Sequence, residues 1–355
     1  MILGKLAGSS PPTKCTGMRS FLFLIIALLA GSVLAQEQHR KIGAIEFFGS
    51  SGMDLQRIKT NLPTKEGDQL PEAADARLAT METISESIKQ TTGRAATDVG
   101  IVCCDIKGQS MIFIGLPGTN IRPLALNPAP HGEARLSPQL VSLYQQIMEA
   151  WEDAVYKGAG GDQSKGYPLS THPVLRSRQL KAREVALRKG PLLRRVLAMA
   201  KDSQQRLGAA YFVGYAKQSQ KQIDALVHAS RDVDEGVRNN AVRALGVLAE
   251  SNPRIADQIP IDGFIDMLNS GSWTDRNKGG YVFEALTASR NPKVLGPLRS
   301  RTLDSLLEMA RWRSSGHANS ARLLLGRIAG IEEGRLTKLV AAGQVDQIVK
   351  ALNLQ

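Results

Sequence analysis

One stretch constrains the fold of this chain more than any other: Val237-Arg238-Asn239-Asn240-Ala241-Val242-Arg243-Ala244-Leu245-Gly246-Val247-Leu248-Ala249. Val237, Ala241, Ala244, Leu245 and Leu248 fall at i, i+4, i+7, i+8 and i+11, which is one face of a helix. Asp234 and Glu235 precede it, where a helix N-terminus favours negative charge. The core of the pattern is an arginine, a small residue three on, then Leu-Gly four and five further. It recurs upstream in Arg206, Ala209, Val213 and Gly214, and loosely downstream in Arg276, Gly279 and Phe283. Ala321, Leu325 and Gly326 repeat it without the arginine. The positions 209, 241, 279 and 321 lie 32, 38 and 42 residues apart. A drifting period in this range predicts stacked helix pairs.

These words resemble the HEAT-repeat family, in the short bacterial subtype first described in bilin lyases. The resemblance implies a mostly α fold whose C-terminal half, residues 176–355, is an α-solenoid of HEAT-like helix pairs. Units are expected at 203–231, 232–270, 271–312 and 313–355. It implies no reaction, because a repeat fold hosts many roles. Tyr211, Tyr215, Trp273, Tyr281 and Trp312 recur near helix starts or faces, where they either line a concave surface or pack the core.

Ahead of the array, residues 36–118 read as a small α+β domain. Ile42 to Gly49 forms a strand ending in a glycine turn, and Asp54 caps a short helix to Leu62. A longer helix from Pro71 to about Thr91 turns Ala74, Leu78, Met81, Ile84 and Ile88 inward, and Gly93 ends it. Strands from Val99 to Ile106 and Met111 to Leu116 follow; the second is apolar throughout and is placed centrally. The β-α-α-β-β order, with Phe47-Phe48-Gly49, the Leu62 to Asp68 junction and Thr97-Asp98-Val99, resembles a POTRA (polypeptide-transport-associated) domain. That resemblance implies a module that docks extended polypeptides by adding a strand to a sheet edge.

Residues 119–175 read as a Pro/Gly-rich linker carrying one amphipathic helix. Ser137-Pro138 starts that helix, and Leu140, Tyr144, Ile147, Met148, Trp151 and Val155 line one face. From Arg176 to Arg195 eight bases stand against the single acid Glu184, most of the net positive charge of the mature chain. This is either a solvated helix face or an electropositive patch for an acidic partner or anionic headgroups. No nucleic acid is expected, since no aromatic residue is interleaved to stack bases.

Phe21 to Leu34 is apolar or small throughout, Arg19 precedes it and Val33-Leu34-Ala35 ends it. This is a secretory signal peptide over residues 1–35, cut between Ala35 and Gln36; an uncleaved anchor is the other reading. The chain is therefore read as exported, periplasmic or secreted in a bacterial envelope. Cys103 and Cys104, adjacent on a strand, point to opposite faces and do not easily bridge each other. The five histidines are dispersed, so no metal or other cofactor is expected.

The chain is thus read as an exported, non-enzymatic interaction scaffold whose partners are other proteins, acidic or extended polypeptides among them. Candidate partner-binding residues are Arg194, Arg195, Arg206, Arg238, Asn239 and Asn240. Arg238 has a competing structural role, pairing with Asp232 or Asp234 between repeats. The alternative is an exported enzyme using His131, Glu133, Asp153 and His172 of the middle segment. Export carries its own test. N-terminal sequencing of the chain recovered from the envelope of an expressing cell should read from Gln36, and recovery of intact chain in the cytosol overturns it.

Overall fold

The computed structural model describes residues 40–353 apart from Cys104 and Ile106. The signal segment and its expected cut between Ala35 and Gln36 lie outside the described residues. The fold is mostly helical with a small mixed sheet. Strands β1 (Ile42–Phe48), β2 (Asp98–Val102) and β3 (Ser110–Gly115) enclose helices α1 (Leu55–Asn61) and α2 (Ala74–Thr92) in sequence. The sheet order is β1-β3-β2, with β1 parallel and β2 antiparallel to β3. The apolar run Met111 to Ile114 takes the central place its pattern predicted, and β3 is buried along its whole length. Asp54 caps α1 by accepting from the Arg57 amide, and Gly93 closes α2 in the left-handed region at φ +81°. Two of the five residues assigned to the inner face of α2 are outside it. Ala74 is exposed and Leu78 is 58% exposed, because only the second half of α2, with Ile84 and Ile88, covers the sheet.

The helical part begins with α3 (Pro138–Tyr156), a short hairpin of β4 (Gly161–Asp162) and β5 (Leu169–Ser170), and α4 (Pro173–Met199). The Ser137 side chain caps nothing; its hydroxyl is buried without a partner among the described residues. α4 kinks at Lys189, where Pro191 removes a donor from the helix ladder. Helix pairs follow: α5 (Ser203–Val213) with α6 (Gln220–Ala229), then α7 (Glu235–Ser251), a single turn α8 (Pro253–Ala256) and α9 (Asp262–Leu268). α10 (Trp273–Leu286) pairs with α11 (Pro292–Ala310), and α12 (Ser315–Ile328) with α13 (Glu333–Ala341) and a last short α14 (Val345–Lys350). The first helices α5, α7, α10 and α12 pack on one another in order. Gly246 shows why a small residue is needed there: a Cβ on it would lie 2.4 Å from the Tyr281 ring.

The recurring arginine turns out to be the joint between pairs. Arg206 Nε and Nη2 donate to both carboxylate oxygens of Asp232, at 2.7 and 2.8 Å, and Nη1 donates to Ala200 O. Arg238 repeats this on Asp275 at 2.8 and 2.8 Å, with Nη1 to Asp232 O. Arg276 donates to Glu308 at 3.1 Å and to Ser270 O at 2.7 Å. Arg238 is therefore structural, but its acid is one repeat further on than expected. Asp232 belongs to Arg206, and Asp234 caps α7 through the Val237 amide. The fourth repeat does have an arginine, displaced in register. Arg322 donates to Ala310 O and Trp312 O, keeping the backbone half of the arrangement.

The Pro-rich stretch expected as a linker is laid along these joints. Arg122 N donates to Asn269 O, Asn127 N to Arg231 O and Gly132 N to Met199 O. Each acceptor directly precedes the residue whose carbonyl takes a ladder arginine: Ser270, Asp232 and Ala200. The strap thus holds the same three turns from outside that the arginines hold from inside.

The α+β part is not a separate module. α1 and α2 cover one face of its sheet; the other face packs on the helices. The Phe113 ring centroid lies 4.9 Å from Trp312, 5.1 Å from Trp273 and 5.4 Å from His317. Glu308, which ends the arginine ladder, also accepts from the Gly49 and Ser50 amides, the Ser50 hydroxyl and the Asn120 amide. Arg313 reaches Glu46, Glu66 and Ile45 O, which occupies the β1 edge.

Two measurements test this account. Arg238→Ala strands the buried Asp275 carboxylate and should cost about 3–5 kcal/mol in chemical denaturation; a loss below about 1 kcal/mol refutes the joint. Burial, then the charge of Lys278, push the His317 pKa down to about 4. Unfolded His titrates near about 6.5, so the unfolded chain takes up the proton first. Stability should fall as pH drops from 6.5 toward 4, by up to roughly 3 kcal/mol. His317→Gln should flatten that slope, and an unchanged slope removes His317 as its source.

Candidate functional site

The position five residues after each ladder arginine points away from the joint. It is occupied by Tyr211, Arg243 and Tyr281, one on each of α5, α7 and α10. The β4–β5 hairpin lies across this face. Tyr215 donates its hydroxyl to Pro168 O at 2.9 Å, and Tyr211 and Tyr215 share a hydroxyl contact at 3.1 Å. Tyr281 donates to Gln163 Oε1 at 2.6 Å. The guanidinium of Arg183 sits 4.5 Å over the Tyr167 ring. Tyr211, Tyr215 and Trp312 are buried and serve packing, whereas Tyr281 lines open space.

Two cavities flank Gln163. One, of about 680 Å³, opens between α7, α10 and α12 because Gly246, Ala249 and Ala285 supply little side chain. Its polar wall includes Glu250, Asp257, Tyr281, Glu284 and Arg327. Burial, with the Glu250 charge next, pushes the Tyr281 phenol up to about 12. Burial raises the Glu284 carboxyl against the pull of the Ser320 hydroxyl that donates to it. Arg327 is spent on Glu284 O, Thr287 and Glu333, so the uncommitted charge here is acidic. The other cavity, of about 240 Å³, holds Trp151, Val155, Ser170, Gln179 and Arg243. Arg243 is half-buried and makes no ion pair among the described residues. Lys278, one turn before Tyr281, is also half-buried and unpaired among them; burial, then Arg243, bring its ammonium down to about 8. One face thus carries a cationic pocket and an acidic pocket side by side.

None of the six residues proposed from sequence lines either cavity. Arg206 and Arg238 are 2% and 6% exposed and locked in the joints, so they are not available to a partner. Asn240 donates to Leu207 O at 3.2 Å and lies 3.4 Å from the Tyr144 hydroxyl; Asn239 is half-buried beside it. Arg194 is half-buried and Arg195 exposed, both on α4. Glu250, Glu284 and Arg327 went unnoticed in the sequence. The signal that marks this face is the unlike set Tyr211, Arg243 and Tyr281 at one repeat position.

Of the acid–base groups in the middle segment, two meet. His172 Nε2 is 3.1 Å from Asp153 Oδ2. His172 Nδ1 accepts from the Leu175 amide at 3.5 Å, at the start of α4, and Asp153 also takes Lys157 at 2.8 Å. His131 is exposed, and Glu133 pairs with Lys201. Among the described residues no group of His, Cys, Asp and Glu is placed to hold a metal, and no helix is long and apolar enough to cross a membrane. Cys103 is disulfide-bonded, and its partner lies outside the described residues. No family model, curated protein or solved structure matches the chain.

Proposed function

We propose that this chain is an exported, non-enzymatic interaction scaffold that holds an extended polypeptide across the face formed by α7, α10 and α12. The helix pairs are read as a HEAT-type α-solenoid, on the strength of the repeat words and the arginine joints that recur with them. The N-terminal part is read as POTRA-like from its β-α-α-β-β order. Strand addition at its sheet falls to β2, since Arg313 and Glu66 take the β1 edge. The observation that carries the scaffold reading is the pair of cavities of opposite charge on either side of Gln163. An extended segment with an acidic and a basic side chain would satisfy Arg243 in one and Glu250 and Glu284 in the other. The joints keep that face pre-organised, so little ordering opposes binding. Retention of envelope proteins on the immobilised full chain tests this. Ala285→Trp, which fills the larger cavity, and Arg243→Glu should each cut retention of the partner by about ten-fold. Arg195→Glu should not. A partner indifferent to both changes, or none retained, sinks the reading.

The His172–Asp153 contact favours one other reading, an exported hydrolase using that pair as its base. As a helix-start clamp alone, His172→Ala costs about 1 kcal/mol of stability and nothing else. Turnover of ester, peptide or glycoside substrates that disappears in this variant would establish the enzyme instead.

A further inference from the structure

Among the described residues, eight of the eleven exposed large apolar side chains lie on two adjacent helices. Trp151, Val155 and Tyr156 end α3; Val174, Leu180, Leu187, Leu192 and Met199 run along α4. Trp151 and Val155 share a cavity wall with Leu175, so the aromatic group continues the strip at the start of α4. The opposite side of α4 is accounted for: Ala182, Val185, Ala186, Leu193 and Val196 are buried against the core. The strip therefore faces outward along both arms of α4, with Val174, Leu180 and Leu187 before the kink at Lys189 and Leu192 and Met199 after it.

Bases accompany the apolar residues. Lys181 follows Leu180, Arg188 follows Leu187, and Arg195 lies one turn beyond Leu192; all three are exposed, as is Lys189. The sole acid on the helix is Glu184, which pairs with Arg188 at 3.0 Å. An outward row of leucines with bases beside them, and Trp and Tyr at one end, is the composition of a helix lying in a bilayer interface. Along α4 itself the exposed apolar side chains, Leu180, Leu187, Leu192 and Met199, line none of the larger cavities and stand singly on a ridge. A ridge suits a deformable headgroup layer better than the preformed surface of a folded partner. We propose that the outer face of α4 rests on an anionic phospholipid surface, its leucines in the acyl boundary and Lys181, Arg188 and Arg195 on the phosphates.

The test uses the full chain with an environment-sensitive fluorophore at position 187. Vesicles are phosphatidylcholine alone, or phosphatidylcholine with an equal part of phosphatidylglycerol. The fluorophore reports contact of α4 itself, so membrane affinity of the apolar run 21–34 does not enter the readout. It should shift to the blue and brighten on the anionic vesicles only, and the shift should fade in high salt. Each base near the surface is worth about five-fold in partitioning, so Lys181→Gln, Arg188→Gln and Arg195→Gln together should weaken it roughly 100-fold. Leu180→Gln with Leu192→Gln should also weaken it while moving the melting temperature by only a few degrees, since both side chains are partly exposed and glutamine keeps the helix propensity of leucine. An equal response on both vesicles, no response on either, or a response that survives the charge changes overturns the proposal. A response to a soluble acidic protein but not to vesicles also overturns it and assigns the face to such a partner.

Discussion

A buried guanidinium bonded through two nitrogens to a carboxylate of the next repeat sets the geometry on which everything else here depends. Arg206–Asp232 and Arg238–Asp275 are withdrawn from water on both sides. Such a pair adds little net stability over an apolar substitute, because desolvation offsets much of the attraction. Its value is that it tolerates one arrangement only. Two forked hydrogen bonds and one or two backbone carbonyls define where the neighbouring helix pair must sit. Apolar packing of alanines and leucines alone would permit sliding between pairs.

The ladder reaches beyond the helices at its last acid. Glu308 takes Arg276 on one side and the Gly49–Ser50 turn of the sheet on the other. The apolar interface of Phe48, Phe113, Trp273 and Trp312 supplies area, and Glu308 supplies direction. The strap from Arg122 to Gly132 adds a third tie, made where prolines are absent and backbone donors remain. Sheet, strap and helix pairs thus form one block. Relative motion of the parts would break buried charge pairs, so binding on any face acts on a pre-formed surface.

Function, on this view, sits at positions the joints do not use. The ladder arginine faces inward and the residue five later faces away, so Arg243 and Tyr281 are free to differ from repeat to repeat. The cavities exist because small residues, needed where helices meet, also leave space next to a covering hairpin. The outer face of α4 differs again: its first-helix position leaves one side without a neighbouring pair.

Much of this could be read directly from the residues. Period-3.6 apolar spacing marked the helices, an apolar run marked the central strand, and Asp54 and Gly93 marked helix ends, because each depends on local chemistry. The recurring arginine was visible as a repeat, but its acid was not. Asp275 lies 37 residues from Arg238, and proximity in sequence pointed to Asp232 and Asp234. For the same reason exposed-looking Arg206 and Arg238 read as binding residues when they are buried. The sequence by itself determined which segments are helix and strand, since those follow from side-chain periodicity and capping. Only the tertiary structure decided which charges meet, that the Pro-rich segment is a strap, that the sheet has a second buried face, and where cavities are left. Those outcomes depend on contacts between residues far apart in the chain, which no local pattern encodes.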